Sequence, residues 1–186
     1  VTQHAMMLLL NLATSFAPTT QQVKQGDWSR SPYFCLLDNP VMELAGKHLV
    51  IVGFGTLGQR FAELARAFGM KVSVAARPGT TSAERRALDD LLPEADVVSL
   101  HCQLSAQTEQ LINAERLRLM KPTALLINTA RGGLIDELAL ADALTNGQIG
   151  GAGLDTLSVE PPPADHPLLS LSLPNLIITP HSAWSA

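Results

Sequence analysis

Basic runs, cysteine clusters, aromatic residues and long apolar stretches are scarce or missing in this chain, and each shortage removes a class of function. Its 186 residues carry a formal net charge of −4, with 13 lysines and arginines scattered along the length. So dispersed a cationic set gives no nucleic-acid footprint. The two cysteines, Cys35 and Cys102, lack metal-ligand spacing and read as buried or semi-buried thiols rather than a disulfide, a nucleophile or a metal site. Reduced thiols suit the cytoplasm. The apolar run Ala5–Leu10 is too short to span a bilayer and is interrupted by Asn11. It also lacks the basic flank and cleavage site of a signal peptide, so no membrane partner is expected. There is no internal repeat. Aromatic residues make up only 4% of the chain, yet Trp28, Tyr33 and Phe34 crowd into one segment. The length suits one well-buried domain and is short for two. Beginning on Val1 without an initiator methionine and ending on Ser185-Ala186, the sequence reads as a fragment or trimmed domain.

What is present is an alternation of strands and helices. Val1 to about Phe16 reads as a mostly apolar helix, buried in its own core or against another subunit. Ala17 to about Gly46 reads as a long irregular segment, with Pro18, Gly26, Pro32 and Pro40 as breakers. A long loop carrying aromatics is usually functional or an interface. Strands are expected at His48–Val52, Lys71–Ala75, Asp96–Leu100, Thr123–Asn128, Gly151–Leu154 and Leu176–Thr179. Helices are expected at Gln59–Phe68, Ala83–Leu92, Ala114–Met120, capped by Asn113, and Asp136–Thr145. The strands are continuous apolar runs, which means burial on both faces, as in a parallel sheet between helices. The fold class is therefore α/β, a doubly wound parallel sheet of Rossmann type in three layers. Such sheets bind ligands at the carboxyl ends of their strands, so the residues just after each strand are where chemistry is expected.

The first strand runs into Gly53-x-Gly55-x-x-Gly58 and a helical pattern follows. This is the strand–turn–helix context of a dinucleotide fingerprint. Gly53 allows the tight turn, Gly55 lets backbone approach a pyrophosphate, and Gly58 lets helix pack close to strand. The helix start then offers free N–H groups to the phosphates. An acidic residue roughly 20 positions on commonly binds the ribose hydroxyls. Here the second strand ends in Ala76-Arg77-Pro78 instead. Ala76 removes the repulsion a 2′-phosphate meets and Arg77 can pair with it, which points to NADP or dual use. The alternative is a solvated Arg77 and a weaker NAD site. His101, Gln103 and Thr108 after the third strand, Thr129 and Ala130 after the fourth, and Ser182 after the last are further cofactor candidates. For His101 a purely structural role is an equal alternative.

Three chemically stronger groups also fall at strand ends: Arg131, Glu160 and His181. A carbonyl oxygen needs a proton as hydride arrives at its carbon, and histidine titrates near neutrality. A carboxylate such as Glu160, bonded to the other ring nitrogen, fixes the tautomer and favours the protonated ring. Arg131 can hold a substrate carboxylate by a bidentate pair. The implied substrate is a small 2-oxo acid, reduced to a 2-hydroxy acid, and no metal is needed.

The segments Gly53–Gly58, Met120–Gly133, Gly153-Leu-Asp155 through Glu160-Pro-Pro162, and Thr179-Pro-His181 resemble, in content and order, the D-isomer-specific 2-hydroxyacid dehydrogenases. The stretches Ser31–Asp38, Leu157–Pro162 and His181–Trp184 look most like the glycerate dehydrogenase, or hydroxypyruvate reductase, branch. The resemblance implies an NAD(P)-dependent oxidoreductase acting on hydroxypyruvate and D-glycerate or glyoxylate and glycolate. It implies Arg131, Glu160 and His181 as substrate-binding Arg, supporting Glu and acid/base His. It sets Thr56 and Leu57 at the pyrophosphate, Thr129, Ala130 and Arg131 near the nicotinamide ribose, and Asp155 at the nicotinamide carboxamide. Ala76-Arg77 departs from the acidic residue of many members, and Gln103 from a common proline. The resemblance further implies that residues 1–186 are the dinucleotide-binding domain, that residues 1–46 form a homodimer interface, and that a separate substrate domain lies outside the chain. Without that domain the chain is expected to bind dinucleotide and catalyse nothing. The alternative from another class is a nucleotide-sensing, partner-binding protein, as corepressors related to this family illustrate.

Overall fold

The apolar runs become strands, and the central ones, at Val97–Leu100, Leu125–Asn128 and Gly151–Leu154, are buried along their whole length. The computed structural model describes residues 1–78, 80 and 85–185. In it six strands lie parallel: β1 (His48–Val52), β2 (Lys71–Val74), β3 (Val97–Leu100), β4 (Leu125–Asn128), β5 (Gly151–Leu154) and β6 (Leu176–Ile178). Their order is β2-β1-β3-β4-β5-β6. The chain runs outward from β1 to β2, crosses back over β1, and builds the remaining strands on the other side. This is the expected doubly wound, Rossmann-type sheet, with its switch point between β1 and β3.

The helices are α1 (Thr2–Ala13), α2 (Phe16–Lys24), α3 (Asp27–Arg30), α4 (Thr56–Ala67), α5 (Leu88–Leu91), α6 (Ala114–Leu119) and α7 (Glu137–Thr145). Alternate strand residues feed two cores. Leu49, Ile51, Val97 and Ile127 pack with Leu8 and Leu9 of α1 and Phe61 and Ala65 of α4. Val50, Val98, Leu100 and Leu126 pack with Leu91, Leu117 and Leu140 on the opposite face. Ala5, Leu8 and Leu9 of α1 are thus buried inside its own domain, the first of the two alternatives read from sequence. The Asn113 side chain accepts the Arg116 N–H and caps α6, as expected, and Asp136 caps α7 through the Ala139 N–H. Among the described residues, no helix is long and apolar enough to cross a membrane.

Three expectations need correction. The segment after Phe16 is not one long loop, because α2 and α3 occupy its first half. Pro18 sits in the first turn of α2, where a missing N–H breaks no helical bond. Gly26, at φ +80°, separates the two helices. Helix α4 starts at Thr56 rather than Gln59, directly on the glycine turn. The first residues of the helix expected at Ala83–Leu92 lie outside the described residues. Its described part is the single turn α5, and the chain then tightens into a 3-10 turn over Leu92–Glu94, with Pro93 inside it.

Candidate active site

Register decides which residues meet. Val52 pairs with Leu100, Leu100 with Asn128, Asn128 with Leu154, and Leu154 with Ile178. The next residue of each strand therefore joins one row along the carboxyl edge: Gly53, His101, Thr129, Asp155 and Thr179. Beside this row runs a cleft of two adjoining cavities, about 650 Å³ and 1030 Å³, that share Gly55, His101, Cys102 and Gln103. The first holds Thr56, Leu57, Thr129, Ala130, Arg131, Asp155 and His181; the second holds Gly53, Ala76, Arg77 and Thr108. Ser182 and Gly58 do not line it, and Glu160 stands behind His181.

The glycines of the turn do different work. Gly53 takes φ +92°, and a Cβ there would stand 2.5 Å from the Cys102 nitrogen. A Cβ on Gly58 would collide with the Gly53 carbonyl oxygen. A Cβ on Gly55 would meet no atom of the described residues within 4 Å. The fold therefore requires glycine at positions 53 and 58, whereas at 55 the space belongs to the cleft. The first N–H groups of α4, at Thr56 and Leu57, open onto this space without intrahelical partners.

His181 Nδ1 lies 2.6 Å from Glu160 Oε2, while Glu160 Oε1 accepts the Leu157 N–H at 3.0 Å. Both carboxylate oxygens are thereby directed, and Nε2 of the ring is the atom left for chemistry. The two side chains are 40% and 34% exposed, so the pair is open to solvent on one side. The His181 backbone has φ +49°, a strained conformation for a residue with a Cβ. Arg131 is exposed in the same cleft, and its Nη1 donates to Ala130 O at 2.6 Å. Asn128, fully buried at the end of β4, shapes this loop. Its amide donates to Arg131 O at 2.9 Å, and its Oδ1 accepts the Ala130 N–H at 3.0 Å.

Other candidates also hold the protein's own structure together. Asp155 is 1% exposed. Its Oδ1 accepts from Thr179 Oγ1 at 2.5 Å and from the Ser182 N–H at 3.0 Å, and its Oδ2 accepts the Ala183 N–H at 2.9 Å. His4 Nε2 lies 3.2 Å from Asp155 Oδ1 and 2.8 Å from Thr179 Oγ1, tying α1 to the site. Asp155 therefore clamps the turn that carries His181, and Ser182 contributes its backbone to that clamp. Thr108 Oγ1 closes its own loop, accepting from Ser105 N and donating to Gln103 O. His101 bonds Ser99 Oγ at 2.9 Å and packs tilted against the Phe61 ring, centroids 5.1 Å apart; burial pushes its imidazole down to about 4, so it is neutral at physiological pH. Burial pushes the Cys102 thiol up, away from nucleophilic use, and both cysteines are free.

Sequence reasoning missed Asn128 as a loop support and the His4–Asp155–Thr179 network. An amide closing an otherwise apolar strand was a usable signal for the first; nothing local signals the second. Two features fit a bound dinucleotide: the open space over Gly55, and the Thr129 hydroxyl, buried at the cleft wall without a hydrogen-bond partner among the described residues.

Residues 6–183 match the family described as D-isomer specific 2-hydroxyacid dehydrogenase, NAD binding domain. The chain is 43% identical over 189 residues to a glycerate dehydrogenase of Methylorubrum extorquens, covering 100% of this chain and 59% of that protein. It is 40% identical over 190 residues to a hydroxypyruvate reductase of Blautia hydrogenotrophica, covering 100% and 58%. Among solved structures, D-lactate dehydrogenase from Aquifex aeolicus, complexed with NAD and lactic acid, is similar with a TM-score of 0.86 at 32% identity, over 100% of this chain and 60% of that one. The chain spans about three-fifths of the length of the curated relatives it matches.

Proposed function

The chain belongs to the D-isomer specific 2-hydroxyacid dehydrogenase family, as its NAD-binding domain, and from that premise we propose that it is the cofactor-binding part of an oxidoreductase interconverting small 2-oxo and D-2-hydroxy acids. Hydroxypyruvate with D-glycerate is the leading pair, and glyoxylate with glycolate the second. The observation that carries the reading is the 2.6 Å His181–Glu160 bond in one cleft with Arg131. A nicotinamide dinucleotide, when bound, supplies or accepts the hydride. Arg131 holds the substrate carboxylate through donors left free by its single bond to Ala130 O. Protonated His181 gives its Nε2 proton to the carbonyl oxygen during reduction and takes it back from the hydroxyl during oxidation. Glu160 keeps the ring oriented and stabilises its cationic form. Thr56 and Leu57 offer N–H groups to the pyrophosphate, and Thr129 offers its unpartnered hydroxyl beside it.

The exposure of the His181–Glu160 pair supports a second, substrate-recognising domain over the cleft, supplied by sequence outside this chain. Ala76 and Arg77 support NADP, or use of both cofactors. The exposed apolar residues of the α2–β1 segment support a homodimer. The two free cysteines support a reducing compartment, and we place the enzyme in the cytoplasm. The test is turnover by the whole protein, followed through reduced nicotinamide absorbance with hydroxypyruvate and glyoxylate. Saturable oxidation of the reduced cofactor is expected with hydroxypyruvate. Cofactor binding without turnover on any 2-oxo acid overturns the reading.

A further inference from the structure

A second carboxylate–imidazole pair lies behind the first, and the chemistry proposed above does not use it. Glu137 is the first residue of α7, on the segment that follows Arg131. Its side chain is 13% exposed and that of His166 5%. Glu137 Oε1 accepts the Ser158 N–H at 2.8 Å, and Oε2 accepts from the Ser158 hydroxyl. His166 Nε2 lies 3.2 Å from the same Oε2, while the Leu168 N–H donates to Nδ1 at 3.3 Å. With Nδ1 an acceptor, the ring proton belongs on Nε2, so a neutral imidazole donates to Glu137. Both oxygens of Glu137 are thus spent on neutral donors, and among the described residues no lysine or arginine pairs with it.

The Ser158 donors belong to the strap Leu157–Glu160, which ends in the carboxylate that orients His181. The Leu157 N–H donates to Glu160 Oε1 at 3.0 Å, and Glu160 Oε2 meets His181 Nδ1 at 2.6 Å. A continuous line of hydrogen-bonded groups therefore runs from the start of α7 to the imidazole. Gly132, next to Arg131, packs against the same strap: a Cβ there would collide with the Leu157 carbonyl and the Ser158 nitrogen. The segment bearing Arg131 and the strap bearing Glu160 are joined twice, by backbone at Gly132 and by the Glu137 carboxylate. A misplacement of about 1 Å between reacting groups costs roughly 10²-fold in rate. We propose that Glu137, backed by His166, is a positioning residue that fixes Glu160, and through it His181, relative to Arg131. The role rests on the oxidoreductase reading given above. It asks for reach and not for charge, because the partners of Glu137 are neutral.

The test compares Glu137→Asp and Glu137→Gln in the whole protein. It reads kcat and KM with hydroxypyruvate, dinucleotide Kd and melting temperature. Aspartate keeps the charge and suits a first helical turn, but it ends one methylene short of Ser158. Glutamine keeps the length, offers its oxygen to the Ser158 N–H and turns its amide to the rotatable Ser158 hydroxyl. Glu137→Asp is expected to lower kcat about tenfold to a hundredfold. Its dinucleotide Kd should stay within about twofold of the parent, which also reports a folded domain. Glu137→Gln should retain about ten times the kcat of Glu137→Asp. In a Glu160→Gln background, Glu137→Asp should cost less than about twofold more, because the group through which it acts is already altered. If Glu137→Asp lowers the melting temperature and leaves kcat unchanged, Glu137 serves stability alone and the proposal is wrong. It is equally wrong if Glu137→Asp loses dinucleotide binding along with kcat, if Glu137→Gln is as poor as Glu137→Asp, or if the losses from Glu137→Asp and Glu160→Gln multiply. A parent that turns over no 2-oxo acid brings down the oxidoreductase reading and the positioning role together, whereas an active parent with any of the preceding results brings down the positioning role only.

Discussion

An imidazole and a carboxylate 21 residues apart in sequence meet at 2.6 Å because β5 and β6 are neighbours whose ends the register aligns. The hydrogen bond consumes Nδ1, so the proposed proton-transfer role rests on Nε2. In the whole enzyme, His181→Ala should lower kcat by about 10²–10⁴, the usual contribution of a general acid. The dinucleotide Kd should stay within about twofold, since the phosphates are proposed to meet the Thr56 and Leu57 N–H groups and not His181. Rapid-mixing kinetics with separate cofactor titration reads both, and a fall in cofactor affinity alone would remove the role. His101 makes a different prediction. Its folded value of about 4 lies below the unfolded 6.5. Between these values the unfolded chain binds more protons, so stability is complete above about pH 6.5 and lost as pH falls toward 4, by about 3 kcal/mol at most. His101→Asn should flatten the decline of melting temperature across that window relative to the parent. Equal slopes would mean the ring titrates freely in the folded state. Arg131, Glu160 and His181 were legible in the sequence because each follows an apolar run closely. His4 was not, because its partners Asp155 and Thr179 lie at the far end of the chain and only the fold unites them.

The strand–turn–helix element from β1 to α4 separates two demands that a sequence motif merges. Gly58→Ala places a methyl group against the Gly53 carbonyl oxygen, and overpacking of that kind costs about 1–3 kcal/mol. Gly55→Ala meets no atom of the described residues within 4 Å and has φ −77°, a conformation alanine adopts freely. Its melting temperature should therefore stay within about 2–4 °C of the parent, as for a surface change. Its dinucleotide affinity should nevertheless fall by about tenfold or more, because the added methyl occupies space that a pyrophosphate needs. Melting curves and titrations on both variants check the pair. A Gly55→Ala chain that binds as tightly as the parent would place the dinucleotide elsewhere. Strand number and the motif were readable from apolar runs and punctuation. Helix α2 was not, because Pro18 looks like a breaker until its position in a first turn is known.

At the scale of the whole molecule, the two ends of the sheet face different neighbours. The His4 end of α1 reaches Asp155 at the carboxyl edge, so Ala13 and the segment that follows lie toward the opposite edge. That placement agrees with a cavity of about 520 Å³ where Pro40, Val41 and Met42 meet Lys47, Thr123, Gly150 and Asn175, residues that precede strands. Along this segment Trp28, Tyr33, Phe34, Leu37 and Val41 are all exposed, Phe34 at 92%. The substrate domain proposed above would cover His181 and Arg131 at the carboxyl edge to complete the cleft. It is therefore poorly placed to bury these side chains. A second copy of the chain, meeting the first across its α2–β1 segment, suits an apolar surface of this kind, since homodimer interfaces are rich in aromatic side chains. Light scattering after size exclusion should give twice the chain mass for the parent. The double substitution Tyr33→Ser, Phe34→Ser should shift it to the single chain mass without raising the dinucleotide Kd more than about twofold, because the cleft lies at the other edge. A monomeric parent would sink the dimer, and a variant that loses dinucleotide binding along with the dimer would show that the two edges are coupled.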